Sequence, residues 1–118
     1  MVDEGGPGAL ARERLLASDI AVPELADVEV LSFVRREVLA GRMTHERGAG
    51  ALQDFADLAV ERYTHQPLMA RAWELRDTVS AYDAQYVALA ELLDAALITA
   101  DGRLARATGP RCPIELLS

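Results

Sequence analysis

This chain has a single cysteine, Cys112, so no intrachain disulfide can hold the fold. A reducing cytoplasm is the default compartment for such a chain. Aromatic residues are scarce at 5%, which leaves an aliphatic core of Leu, Val and Ala and suits helices built from the same residues. No apolar run approaches the roughly 20 residues that span a bilayer. The opening Met-Val-Asp-Glu-Gly-Gly has neither the basic nor the apolar region of a signal peptide. Low-complexity segments and evident repeats are missing as well. Basic charge is short: the net charge of −7 argues against a simple basic nucleic-acid binder. It leaves room for an enzyme acting on nucleic acid, because carboxylates that load a divalent cation make the bare chain negative and the cation then reverses the local sign. The segment from Gly102 to Cys112 runs the other way, with Arg103, Arg106 and Arg111.

What is present is enough for one domain, residues 1–118, with 51% hydrophobic and 26% charged residues, a globular balance. Met1 to Gly8, with two acids, three glycines and a proline, reads as a loop, followed by a short helix over Ala9 to Ala17. Ile20 to Val22 reads as a short strand, and Pro23 suits the entry to a helix over Glu24 to Ala40 whose apolar stripe is Val30, Leu31, Val34 and Val38. Gly41 closes that helix, and Thr44 caps the next, which runs to about Asp57 with Gly48 and Gly50 weakening its first half. A strand over Val60 to Thr64, a helix over Leu68 to Thr78, and a helix capped by Ser80 and reaching Leu93 follow. The chain closes with a strand over Leu97 to Thr99, a short helix over Asp101 to Ala107, a Gly109-Pro110 break and a last strand over Ile114 to Leu117. Strands alternating with helices imply an α/β fold, a short-stranded parallel sheet in a three-layer sandwich.

In open α/β sheets, ligands sit beyond the carboxyl ends of the strands, and three acids fall at element ends or on helix faces that can reach that edge. Glu29 has Leu25, Ala26, Ser32 and Phe33 one turn away, so it is a desolvated or cation-bound carboxylate, or else a solvated boundary residue paired with Arg36 or a nearby base. Asp83 completes Ser80-Ala-Tyr-Asp, a capping-box pattern, so capping and metal binding are both open to it. Asp101 follows an apolar strand and precedes a helix, as an N-cap or as a carboxylate at the strand's end. Thr99, two residues earlier, orients an acid or a water, or faces the core edge. Carboxylates from separate elements suit Mg²⁺ or Mn²⁺, which take hard oxygen ligands and keep several waters.

Other chemistries are poorly supported. His45 and His65 lack Cys or His partners at zinc spacing and read as surface residues near loops. Gly5-Gly6-Pro7-Gly8 follows no strand and precedes no Lys-Ser/Thr, so it is not a phosphate-binding loop. Cys112, between Arg111 and Pro113, reads as a filler near the last strand, with a reactive thiolate as the alternative. Arg35, Arg36 and Arg103 are candidate phosphate contacts or solvated helix-face residues.

Three stretches carry a family resemblance: Val22-Pro-Glu-Leu-Ala-Asp-Val-Glu-Val-Leu31, Ala81-Tyr-Asp-Ala-Gln-Tyr-Val-Ala-Leu-Ala90 and Leu97-Ile-Thr-Ala-Asp-Gly-Arg-Leu104, with Arg62-Tyr63 and Trp73-Glu-Leu-Arg76 in the expected order. From about Gly6 onward the chain resembles a PIN-domain ribonuclease toxin of the VapC type. The resemblance implies a Mg²⁺- or Mn²⁺-dependent endoribonuclease, the toxin of a type II toxin–antitoxin pair, usually a homodimer, inhibited by a VapB-type antitoxin and not bound to membranes. It carries the acid roles onto Glu29, Asp83 and Asp101, with Thr99 in support.

One departure sets a further expectation. Family members open with an apolar strand that ends in Asp, lies at the centre of the sheet and leads into a helix; nothing of that kind precedes Gly5, and Asp3 is assigned to a loop. The expected fold is therefore a PIN-like sandwich with its N-terminal central strand absent, truncated relative to the family or with its start set too late. A gap in the sheet leaves buried backbone groups unpaired at about 1–3 kcal/mol each. The alternative function is a catalytically impaired, antitoxin-binding module, rescued by a partner or by rearrangement of the sheet. A third reading is an unrelated small α/β protein whose acids serve only as caps.

Overall fold

The computed structural model describes residues 20–117 in full and the backbone of residues 2–3. Its elements are β1 (Val2–Asp3), β2 (Ile20–Pro23), α1 (Leu25–Leu39), α2 (His45–Asp57), β3 (Glu61–Tyr63), a 3₁₀ turn (Gln66–Leu68), α3 (Met69–Glu74), α4 (Ala81–Leu92), β4 (Ala96–Thr99), α5 (Gly102–Ala105) and β5 (Ile114–Leu116). The helix expected over Ala9 to Ala17 lies outside the described residues.

The sheet runs in the order β3-β2-β1-β4-β5. β2 with β3 and β4 with β5 pair in parallel, as expected. The centre differs from the expectation of an all-parallel sheet with a vacant middle. Val2 and Asp3, assigned to a loop from sequence, form a strand there that runs antiparallel to both neighbours, with Val2 opposite Ala21 and Leu97 and Asp3 opposite Ile20 and Ala96. The physical reason is the cost of unpaired backbone between two buried strands. A segment that is extended for only two residues meets part of that need, in whichever direction it enters.

The register also separates Asp3 from the acids. Asp3 lies beside the first residues of β2 and β4, whereas Pro23 and Thr99 close those strands at the opposite edge. Three residues of strand rise correspond to roughly 10 Å. The Asp3 backbone therefore lies at the edge opposite the carboxyl ends of β2 and β4.

Side chains alternate across the sheet and give it two covered faces. Ala21 and Leu97 face one cluster with Leu68, Leu75, Val87, Leu89 and Leu104, from the 3₁₀ turn, the loop after α3, α4 and α5. Ile20 and Val22 face the other, with Ala26 of α1 and Phe55 of α2. The core is aliphatic, as the composition requires, and each fully buried Leu or Ile in it contributes about 1.5–3 kcal/mol. In α4, Ala84, Gln85, Val87, Ala88, Leu89 and Ala90 are all buried, so this helix is the central one. Gly48 is a packing residue as well as a weak point in its helix: a Cβ there would stand 2.9 Å from Val38 and 3.1 Å from Val34, so α2 sits close on α1. The apolar stripe expected on α1 is only partly used, since Val34 is buried but Leu31 is exposed. The helix expected over Leu68 to Thr78 is shortened to Met69–Glu74. No helix among the described residues is long and apolar enough to cross a membrane.

Candidate active site at the carboxyl edge of the sheet

β2, β3, β4 and β5 all run in one direction, so their carboxyl ends share an edge, and the chain leaves that edge into the helices that carry the acids. α1 starts two residues after Pro23 and presents Glu29 from its second turn. α4 presents Asp83 from its first turn, where the Ser80 hydroxyl accepts a hydrogen bond from the Asp83 amide at 3.1 Å. Asp83 therefore sits in a capped turn while its carboxylate, among the described residues, is left without a hydrogen-bond partner. Thr99 ends β4, and its hydroxyl accepts from the Asp101 amide at 3.0 Å, while Asp101 Oδ1 accepts from the Arg103 amide at 2.8 Å as the N-cap of α5. The capping role open to Asp101 is thus realised, through one of its two oxygens.

Two adjoining hollows hold these groups. A cleft of about 150 Å³ is lined by Glu29, Asp83, Tyr86, Leu97, Ile98, Thr99 and Leu104. A second, of about 290 Å³, is lined by Asp83, Asp101 and Arg103 together with Thr78, Ser80 and Leu104. Asp83 belongs to both, so the structure brings Glu29, Asp83 and Thr99 to one cleft and sets Asp101 and Arg103 beside it. Among the described residues, no group of three or more His, Cys, Asp or Glu is gathered closely enough to hold a metal ion. The donor set still suits a hard cation: Mg²⁺ commonly takes one or two carboxylates and fills its remaining positions with water and substrate phosphate.

Tyr86 is the residue that sequence reasoning missed as part of this site. Its hydroxyl donates to Glu29 Oε1 at 2.6 Å, joining α4 to α1. Burial, then the hydrogen bond to Glu29 and the charges of Glu29, Asp83 and Asp27, raise its pKa, so the phenol stays protonated. The charges of Glu29 and Asp83 act on this hydroxyl in the same direction as its burial, so the two acids share one side of the cleft's field. The available signal was a Tyr on the apolar face of a buried helix, whose hydroxyl requires a partner. The alternative pairing of Glu29 with Arg36 is not the one formed, since the Arg36 guanidinium lies 5.9 Å from the centre of the Phe33 ring. Arg35 and Arg36 are exposed on α1 and line neither acid hollow; Arg103 alone of the three arginines does.

The histidines and the cysteine divide. His45 is exposed, as expected. His65, expected at the surface, is half-buried and hydrogen-bonded through both ring nitrogens. Cys112 is half-buried, and burial followed by the Glu91 charge pushes its thiol up to about 11, which suits a filler and not a nucleophile.

The PIN domain profile matches residues 2–110. The chain belongs to the PIN-domain family. Within it, the chain is 45% identical to ribonuclease VapC9 of Mycobacterium tuberculosis over 107 residues, covering 91% of this chain and 84% of that protein. It is 42% identical over 114 residues to ribonuclease VapC1 of the same organism, covering 95% of this chain and 86% of the relative. Ribonuclease VapC12, again from M. tuberculosis, is 38% identical over 111 residues, with 94% and 86% covered. This PIN-domain chain is therefore one of the VapC ribonuclease family, and the resemblance carried by the Asp83 and Asp101 stretches extends over nearly its whole length.

Proposed function

We propose that this PIN-like domain, residues 1–118, is an endoribonuclease that hydrolyses RNA phosphodiesters with Mg²⁺ or Mn²⁺, as the toxin of a type II toxin–antitoxin pair. The observation that carries the reading is the meeting of Glu29, Asp83 and Thr99 on one cleft at the carboxyl edge, with Asp101 and Arg103 on its flank, in a chain whose relatives are named ribonucleases. None of those names favours the catalytically impaired alternative.

Glu29 and Asp83 would hold the cation, with Asp101 reaching it from the adjoining hollow. When bound, the cation supplies an acidified water and offsets the charge of the phosphate. Tyr86 keeps the Glu29 carboxylate aimed into the cleft through its 2.6 Å hydrogen bond. Thr99 fixes the turn into Asp101 through the amide it accepts. Arg103 stands at the mouth to meet a phosphate; Arg35 and Arg36 extend that role along α1 only if the RNA passes over this helix. Val28, Leu31 and Leu39 leave an exposed apolar face on α1 for an antitoxin of the VapB type, and exposed Met69, Trp73 and Tyr82 leave another for a second copy in a homodimer. A cytoplasmic setting, where RNA is found, accords with the single thiol.

The test is cleavage of total RNA by the wild type and by Glu29→Gln, Asp83→Asn and Asp101→Asn, with Mn²⁺ and with chelator. Metal-dependent cleavage by the wild type and its loss in Glu29→Gln and Asp83→Asn is the expected result. Equal metal-dependent cleavage by all four proteins overturns the site.

A further inference from the structure

His65 bridges the two helices that carry Glu29 and Asp83. The first N–H groups of a helix have no partner within it, and an N-cap side chain ordinarily satisfies one of them. α1 has no such cap: Glu24, at the N-cap position, makes no side-chain hydrogen bond to it. The segment after β3 takes over. The Tyr63 carbonyl accepts from the Glu24 amide at 2.9 Å, and His65 Nε2 accepts from the Leu25 amide at 3.0 Å.

That second bond settles the imidazole's tautomer. A nitrogen that accepts from an amide carries no proton, so in the neutral ring the proton is on Nδ1. Nδ1 lies 2.9 Å from Gln85 Oε1 and donates to it. Gln85 is the buried polar residue of α4, 8% exposed, and sits between Asp83 and the turn of Val87. His65 thus makes one hydrogen bond to the first residue of the Glu29 helix and one to the middle of the Asp83 helix. A half-buried polar group with a fixed tautomer and two partners on different elements holds a specific spacing better than apolar contact does, since a shift of either helix leaves a donor or acceptor unpaired.

We propose that His65, through Gln85, is a positioning residue for the ribonuclease site: it sets the first turn of α1 against α4 and so the placing of Glu29 opposite Asp83. This rests on the reading of those two acids as the site. His65 lines neither of the two acid hollows, so it acts through the helices and not on RNA or metal.

The experiment uses the full chain as wild type, His65→Ala, His65→Gln and Gln85→Met, with Asp83→Asn as the inactive control. Amide hydrogen exchange and steady-state cleavage of a short fluorogenic RNA with Mn²⁺ are measured well below each variant's Tm. In His65→Ala, exchange over residues 25–29 should rise at least about 10-fold, while the core amides of α4 keep wild-type protection. Its kcat should fall about 10-fold or more with KM within twofold, because misplacing a reacting group lowers the rate more than binding. His65→Gln, which can still offer an oxygen to the Leu25 amide, should recover most of both losses. Gln85→Met keeps the volume and the Leu25 hydrogen bond but cuts the link to α4, so it should lower kcat without loosening residues 25–29. Wild-type kcat in folded His65→Ala and Gln85→Met overturns the proposal, as does a kcat loss fully explained by a smaller folded fraction. A wild-type protein as inert as Asp83→Asn overturns instead the ribonuclease reading on which the proposal rests.

Discussion

Glu91, part-buried, and Glu29, exposed, both stand on helices that cover the sheet, and their surroundings differ in kind. Glu91 is held by bases and donors: Arg71 Nε and Nη2 donate to its two oxygens at 2.7 and 3.2 Å, and the Arg111 amide donates at 2.7 Å. Arg71 also reaches the Gly109 carbonyl at 2.8 Å, so the cluster pins the Gly109-Pro110 break to α3 and α4. Glu29 has a tyrosine hydroxyl as its partner and two more carboxylates, Asp83 and Asp27, in the field around that hydroxyl. Asp27 is itself neutralised by Arg62 at 2.9 Å. The contrast separates an acid whose charge is used up within the fold from one whose charge is left for something outside it. Sequence type does not make that distinction; the partner does.

The largest expected effect tests this directly. Glu29→Gln should lower RNA cleavage at least about 100-fold, more than is typical for loss of an outer-shell partner, while leaving Tm within a few degrees. Glu91→Gln should leave cleavage per folded molecule unchanged. Parallel kinetics and thermal melts of the two variants check it, and equal losses of activity would erase the distinction.

Next in size is the stability that Glu91 supplies. Burial raises its pKa, but the Arg71 hydrogen bond, the Arg111 amide and the charges of both arginines outweigh burial and hold it below the usual carboxylate range. An acid with a depressed folded pKa contributes its stability above the unfolded value and loses it as pH falls through the folded one. Glu91→Gln should therefore cost about 2 kcal/mol at pH 7, the scale of hydrogen bonds to a charged group. The deficit relative to the wild type should shrink once pH drops below about 4. Urea denaturation of both proteins from pH 7 to pH 3 measures it; a deficit independent of pH would assign the effect to packing.

How far the sequence led follows the same division between local and distant causes. Thr44 and Ser80 were readable as caps because a cap is decided within four residues, and their hydroxyls accept from the Arg47 and Asp83 amides as the pattern requires. The edge that carries the acids was readable from the order of strands and helices. β1 was not, because two extended residues have no periodicity and their pairing partners lie 17 residues or more away along the chain. The half-burial of His65 is not legible for a similar reason: its partners, Leu25 and Gln85, are 40 and 20 residues distant. Asp101 was readable as a cap and as a site acid, and the two roles coexist because one oxygen suffices for the Arg103 amide.

The smallest expected effect concerns the one side-chain hydrogen bond that Glu29 makes among the described residues. Tyr86→Phe removes the hydroxyl and keeps the ring, so packing on both apolar clusters is retained. If the carboxylate is free to be used because a neutral donor holds it without cancelling its charge, then losing that donor should spread its orientation and not its charge. Cleavage should fall about 10-fold, equivalent to about 1.4 kcal/mol, and Mn²⁺ affinity should weaken by a smaller factor, since the carboxylate itself remains. Replacing the tyrosine with a base inverts the argument: Tyr86→Arg would give Glu29 the kind of partner Glu91 has, and cleavage should then fall to the level of Glu29→Gln. Titration calorimetry with Mn²⁺, alongside the same RNA kinetics, distinguishes an acid that has lost its aim from one that has lost its charge.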